Sequence, residues 1–207
     1  MKTLHNSGPL HRFELMLLAV LLFTAAGRGV FRYEKQSDEI RFDTLRLHII
    51  ANSDSDLDQK LKLKVRDRIL SDTGELFAEV SGKSEAVALA KTSLDDIQSD
   101  AEAVIAEAGL DYPVKVELTK MWFETRSYDG FTLPAGDYDA VRVVIGEGEG
   151  VNWWCVMYPP LCIPSEDSAA EAVKVYGDNS AFVISSGGTE IRFAIVELIE
   201  RIKNSLA

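Results

Sequence analysis

The sequence predicts an α+β fold. The expected architecture is a small, mostly antiparallel sheet covered by two long amphipathic helices plus a C-terminal helix, preceded by an N-terminal hydrophobic export segment. Three observations predict it. Runs of apolar alternation recur at residues 45–51, 114–123 and 138–145, the period of a half-buried strand. Between the first two lie stretches with apolar residues every three or four positions, the helical period. A hydrophobic content of 46% over 207 residues supports one sizeable core and is tight for two.

The chain opens on Lys2, His5, His11 and Arg12, followed by the uncharged run Leu15 to Ala26 and the small residues Ala25, Ala26 and Gly27. A basic start, a short apolar run and a small-x-small exit are the marks of a secretory signal. The run is twelve residues long, whereas crossing a bilayer takes roughly twenty. Residues 1–27 are therefore read as a signal peptide or membrane anchor, and the charged, aperiodic residues 28–43 as a tether.

The domain proper is placed at 44–163. Leu45, Leu47 and Ile49 lie on one face of a first strand, which ends in Asn52-Ser53-Asp54-Ser55-Asp56. Such side chains favour turns and helix caps, and Ser55 with Asp58 approximates a capping box. The spacing of Leu57, Leu61, Val65 and Ile69 predicts a helix ending near Gly74. Ser84 caps a second helix carrying Val87, Ala90, Leu94, Ile97, Ala101, Val104 and Ile105, with Gly109 as its left-handed terminator. Strands follow at Val114 to Phe123 and Tyr138 to Ile145, joined through a loop or hairpin at 125–136 that holds Gly130, Pro134 and Gly136. Residues 164–207 read as a linker with a short helix, then a C-terminal amphipathic helix bearing Ile191, Ile195, Leu198, Ile199 and Ile202.

Net charge is −11, and removal of residues 1–27 leaves 20 basic against 32 acidic side chains. Nucleic acid is excluded as a partner, since phosphate binding needs a positive surface. An anionic exported domain is repelled by anionic lipid, so membrane contact is expected only through the N-terminal segment.

The densest stretch is Gly146 to Cys162, G-E-G-E-G-V-N-W-W-C-V-M-Y-P-P-L-C. Its glycines follow a strand, as in a phosphate loop, but Glu147 and Glu149 would repel phosphate and no helix start follows. The glycines read instead as positions of positive backbone torsion or close chain approach. Cys155 and Cys162 cannot assemble four zinc ligands when only His48 could join them, so no metal and no cofactor is expected. Export favours a disulfide between the two cysteines; two buried free thiols are the alternative. Adjacent tryptophans in an extended chain point to opposite faces, so one of Trp153 and Trp154 can be core while the other is presented. A catalytic alternative takes Cys155 as nucleophile and His48 as base, an extracytoplasmic cysteine hydrolase acting on the cell wall.

Four segments carry a resemblance. They are L-R-L-H-I-I-A-N-S-D-S-D from Leu45 to Asp56, Asp58-Gln59-Lys60-Leu61-Lys62 with Val65-Arg66-Asp67, Leu133-Pro134-Ala135-Gly136-Asp137-Tyr138, and Gly148 to Cys162. In order, they resemble the stage II sporulation protein R family over residues 44–163. Trp122-Phe123-Glu124-Thr125-Arg126 departs from the family's Phe-Pro before the Thr-Arg pair. The resemblance implies a non-enzymatic signalling protein, exported from the forespore into the space between forespore and mother cell. Its partner would be a membrane-embedded aspartic protease that processes the sigma-E precursor. The expected contact is a bridged, aromatic-edged knob formed by Asn152, Trp153, Trp154, Tyr158, Pro159, Pro160 and Leu161.

Overall fold

A computed structural model of the chain describes residues 9–128, 131–161 and 168–184. The chain divides into two units, Met1–Asp38 and Glu39–Ala207. The described residues of the first unit, 9–38, belong to helix α1 (Pro9–Phe42), and there Phe13, Leu15, Met16, Leu18 and Leu22 are all more than half exposed. By length and composition this helix can cross a membrane. The residues expected to form an irregular tether are helical through Phe42. The second unit also begins earlier than Thr44, because Ile40 is fully buried among Phe131, Leu133, Val156 and Tyr176.

In the second unit β1 (Leu45–Ile50) leads through the turn at 52–55 into α2 (Asp56–Ala78). Ser55 caps α2 as its sequence suggests, its Oγ accepting the Asp58 N–H at 3.2 Å. The helix runs four residues past Gly74 because Phe77 is buried in the core. Burying a large aromatic ring stabilises by more than the roughly 1 kcal/mol that a helical glycine costs.

The long helix expected from Ser84 to Ala108 is two, α3 (Lys83–Thr92) and α4 (Leu94–Glu107), broken at Ser93. There Thr92 donates its hydroxyl back to Leu89 O at 2.9 Å, the side-chain competition that weakens helix interiors. The break lets Ala86 and Ala90 of α3, and Ile97, Ala101 and Ile105 of α4, all reach the same core. Gly109 ends α4 at φ +73°, as predicted.

β2 (Val114–Phe123), a short hairpin of β3 (Arg126–Tyr128) and β4 (Phe131–Leu133), β5 (Gly136–Ile145) and β6 (Asn152–Tyr158) follow. The four long strands form one sheet in the order β2-β5-β1-β6. The expected antiparallel pairing holds for β2 with β5 and β1 with β6, but the central β1–β5 pair is parallel. The chain leaves β1 into the helical layer and returns at the far edge through β2, so β5 re-enters alongside β1 in the same direction.

Leu45, Leu47 and Ile49, with Val141, Val143, Ile145, Cys155 and Met157, face α2, α3 and α4. β1 was expected to be half buried, yet every residue in it is buried. Its other face lies under two further clusters. Phe123, Tyr138 and Ala140 form one, with Trp154 packed against it. The other joins Val156 to the hairpin, to α5 (Ser168–Tyr176) and to α6 (Ser180–Val183). Where the residues after 163 were expected to be a linker with a short helix, α5 contributes Ala172 and Tyr176 and α6 contributes Val183 to this second layer, with a 3-10 turn at Gly177–Asn179 joining them. The expected C-terminal helix lies outside the described residues.

Candidate functional site

At the end of β1 the two unusual strings of the sequence meet. Asn52 accepts the Glu147 N–H on Oδ1 at 3.0 Å and the Glu149 N–H on its carbonyl oxygen at 3.2 Å. Ala51 O accepts from Gly150 N–H at 3.0 Å, and Asp54 Oδ1 accepts from Val151 N–H at 2.7 Å. Behind them Asp58 is buried and accepts from Ser53 Oγ at 2.6 Å and Asn52 Nδ2 at 2.9 Å. Those hydrogen bonds, Ser53 first and Asn52 next, hold its carboxyl below the usual carboxylate range. Lys62, also buried, donates to Val151 O at 2.7 Å and Gln59 Oε1 at 2.6 Å. Burial lowers its pKa, while Asp54 works against that shift.

The glycines make this approach possible, as their spacing suggests. Gly146 sits at φ +58°, and a Cβ there would collide with Asn52 Oδ1. A Cβ on Gly150 would collide with the Ser53 carbonyl. The N-S-D-S-D turn and the G-E-G-E-G loop are thus two halves of one clasp, and the clasp sets where β6 starts.

β6 carries the aromatic pair. Trp154 stacks on His48 at 4.1 Å between ring centroids with 9° between planes, and Phe123 meets it edge-on at 4.8 Å. Trp153 points to the other face, where the Arg66 guanidinium lies 4.3 Å from its ring. The opposed orientation expected of adjacent tryptophans is present, with both half-buried. Cys155 is buried and disulfide-bonded; Cys162 lies outside the described residues.

The expected projecting knob is, instead, a sheet strand and a tight turn. Tyr158, Pro159 and Leu161 are buried, with Leu161 N–H reaching Val156 O at 3.3 Å and Pro159 O at 2.7 Å across a cis Tyr158–Pro159 peptide. Both faces of this segment are covered: Cys155, Met157 and Tyr158 pack in the cluster under the helices, and Val156 and Leu161 in the cluster on the other face. Asn152, Trp153, Trp154 and Pro160 remain partly accessible. Pro160 borders a small apolar pocket of about 80 Å³ lined also by Leu70, Thr73, Phe77, Val156 and Met157.

The register also separates the residues of the hydrolase alternative. His48 pairs with Trp154 and Leu47 with Cys155, so the imidazole and the Cys155 sulfur lie on opposite faces of the sheet. With the sulfur already in a disulfide, that nucleophile–base pair does not form.

Sequence reasoning missed Arg46. Its side chain is fully buried, with the guanidinium 4.0 Å from the Phe123 ring centroid and 5.1 Å from that of Tyr138, and it donates from Nη2 to Tyr128 Oη. Alternation assigned Arg46 and His48 to a solvated face. The contrary signal was available: Phe123, Tyr138 and Trp154 fall at positions of the same face, so β1 was flanked by large rings on its supposedly wet side.

A family model described as Stage II sporulation protein R matches residues 41–168, a span that contains the clasp and all six strands among the described residues. The chain is 34% identical over 167 residues to Stage II sporulation protein R of Bacillus subtilis (strain 168), which covers 81% of this chain and 74% of that protein. No solved structure matches. With the family's model covering well over half its length, the chain belongs to the stage II sporulation protein R family.

Proposed function

We propose that this protein is an exported sporulation signal that activates a membrane-embedded aspartic protease across the space between forespore and mother cell, so triggering processing of the sigma-E precursor. Family membership supports the sporulation role, and the N-terminal apolar helix is compatible with an export signal or anchor. The observation that carries the contact surface is the set Asn152, Trp153, Trp154 and Pro160, partly accessible on the edge strand β6 and the turn that follows it. Large aromatics at an accessible edge are the residue types that dominate protein–protein binding energy. A disulfide between Cys155 and Cys162 would hold the turn that follows. The protein acts by binding one state of the protease more tightly than the other, the only way a ligand shifts such an equilibrium.

The test uses Trp154→Ala in sporulating cells, with export checked by fractionation and folding by circular dichroism of the purified protein. Precursor processing should stop while export and fold persist. Normal processing by the exported, folded variant overturns the assignment.

A further inference from the structure

The face of the sheet turned away from α2, α3 and α4 carries a concentrated deficit of hydrogen bonds. Among the described residues, eight buried side-chain nitrogen and oxygen atoms have no partner, and five of them belong to three residues: Nε and Nη1 of Arg46, both ring nitrogens of His48, and Nε of Arg142. The three are neighbours. Arg46 and His48 are two apart on β1, hence on one face, and Arg142 of β5 stands opposite His48 in the parallel register. Asn152 approaches the imidazole without forming a hydrogen bond of ordinary geometry.

Every unfilled arginine position here is a donor, and His48 offers one donor when neutral and two when protonated. Arg46 is fully buried, and its partners among the described residues are aromatic rings and the Tyr128 hydroxyl, with no carboxylate among them. Glu117 reaches Arg142 through Nη1 at 3.1 Å but is shared with Lys115 at 2.7 Å, leaving Nε of Arg142 unfilled. A buried guanidinium with unfilled donors is a costly arrangement unless an acceptor completes it. The accessible border of the cluster is formed by Arg142, whose side chain is 37% exposed, and by the partly accessible Asn152 and Trp154, the latter lying over the imidazole.

We propose that Arg46, His48 and Arg142 form an anion site that takes one carboxylate group. The planar fork of guanidinium donors matches a carboxylate's two oxygens, and the rings of Trp154 and Phe123 shield the pair from water. His48 takes up a proton from solvent as the carboxylate enters, giving the cluster a third charged donor beside the two guanidiniums. The charged groups facing His48 are Arg46 on its own strand and Arg142 on β5, with Glu117 and Lys115 of β2 beyond Arg142; its β6 neighbours Asn152 and Trp154 are neutral. The carboxylate is either a free small acid or a glutamate or aspartate side chain presented by a protein. The site stands whether or not the protein meets the protease.

The test follows the imidazole resonances of the full-length protein in nonionic detergent, with His48 distinguished from His5 and His11 by a His48→Phe variant. Sodium acetate is compared with sodium chloride at equal ionic strength. Acetate should raise the His48 titration midpoint by about one pH unit or more, the effect of an opposite charge within a few ångströms. Arg142→Gln, at the accessible border, should weaken the acetate response at least about tenfold, the loss expected for one charge-assisted hydrogen bond. Arg46→Met, with its fold verified by near-ultraviolet circular dichroism, should do the same. A capped Ala-Glu-Ala peptide that acts at tenfold lower concentration than acetate would identify a protein side chain as the source; equal potency would identify a free acid. A midpoint that is the same in acetate and chloride overturns the site, as does an acetate response that both variants retain in full.

Discussion

Lowering the pH from 7 to 5 should destabilise the domain through His48 alone by about 2 kcal/mol. Burial holds its pKa at about 4 against an ordinary value of 6.5, with Asn152 opposing the shift and Arg142 and Arg46 reinforcing it. Because the folded value is the lower one, the unfolded chain binds the proton first as pH falls. Stability therefore decreases between about pH 6.5 and pH 4, and the loss levels off below that. Integrating between those limits gives about 2 kcal/mol at pH 5 and about 3 kcal/mol at pH 4. The assay is urea unfolding followed by tryptophan fluorescence at several pH values in carboxylate-free buffers, for the wild type and for His48→Phe, which retains a ring against Trp154. Asp58, whose pKa is depressed, loses stability at still lower pH, while Asp43 and Asp100, raised by burial, change it in the opposite sense. These contributions are common to both proteins, so the difference between them isolates His48. A wild-type-minus-variant difference that stays flat from pH 7 to pH 5 would refute a buried neutral imidazole under Trp154.

Three further outcomes follow from the same geometry. Gly150→Ala drives a methyl into the Ser53 carbonyl and should cost about 1–3 kcal/mol, the range for overpacked sites, measured as a shift of the urea midpoint. Ser55→Ala removes the α2 cap and should cost about 0.5–2 kcal/mol in the same assay, with Ser55→Asp restoring most of it. The folded protein should give no reaction with a thiol reagent until it is reduced, since Cys155 is disulfide-bonded; one reactive thiol per chain before reduction would contradict this.

The sheet and helices were legible wherever one face of an element met water, because there the apolar period is unambiguous. β2 was read on that basis, and so was α2 through Leu61, Val65 and Ile69, although Leu57 is exposed and the helix runs past Gly74; Ser55 and Gly109 marked their helix ends as capping chemistry requires. The errors share a cause. At 28–43 the charges read as irregular chain, but a helix needs no apolar stripe when its neighbour in sequence is already helical. At Ser93 a break hides inside an uninterrupted apolar period, since the periods before and after it serve the same core. At β6 the concentration of Trp, Cys and Pro suggested a projecting feature, whereas Cys155 to Tyr158 are buried within the sheet. The glycines of 146–150 were correctly assigned to close approach, yet nothing in their own segment names Asn52 and Ser53 as what they approach. Arg46 and His48 were misplaced because alternation reports polarity, and a polar side chain on a central strand can be buried under aromatic rings from other strands.

The contact surface is the claim on which the functional account rests, and site-specific photo-crosslinking tests it most directly. A photoreactive residue at Pro160, beside the apolar pocket of Leu70 and Phe77, avoids the buried packing that Trp154 shares with His48. A matching residue at Glu102, exposed on α4, serves as the control. In sporulating cells the account predicts a crosslink to the membrane-embedded protease from position 160 and none from position 102. Crosslinking of the protease from position 102 alone would contradict it, as would no crosslink from either position in cells that process the precursor normally.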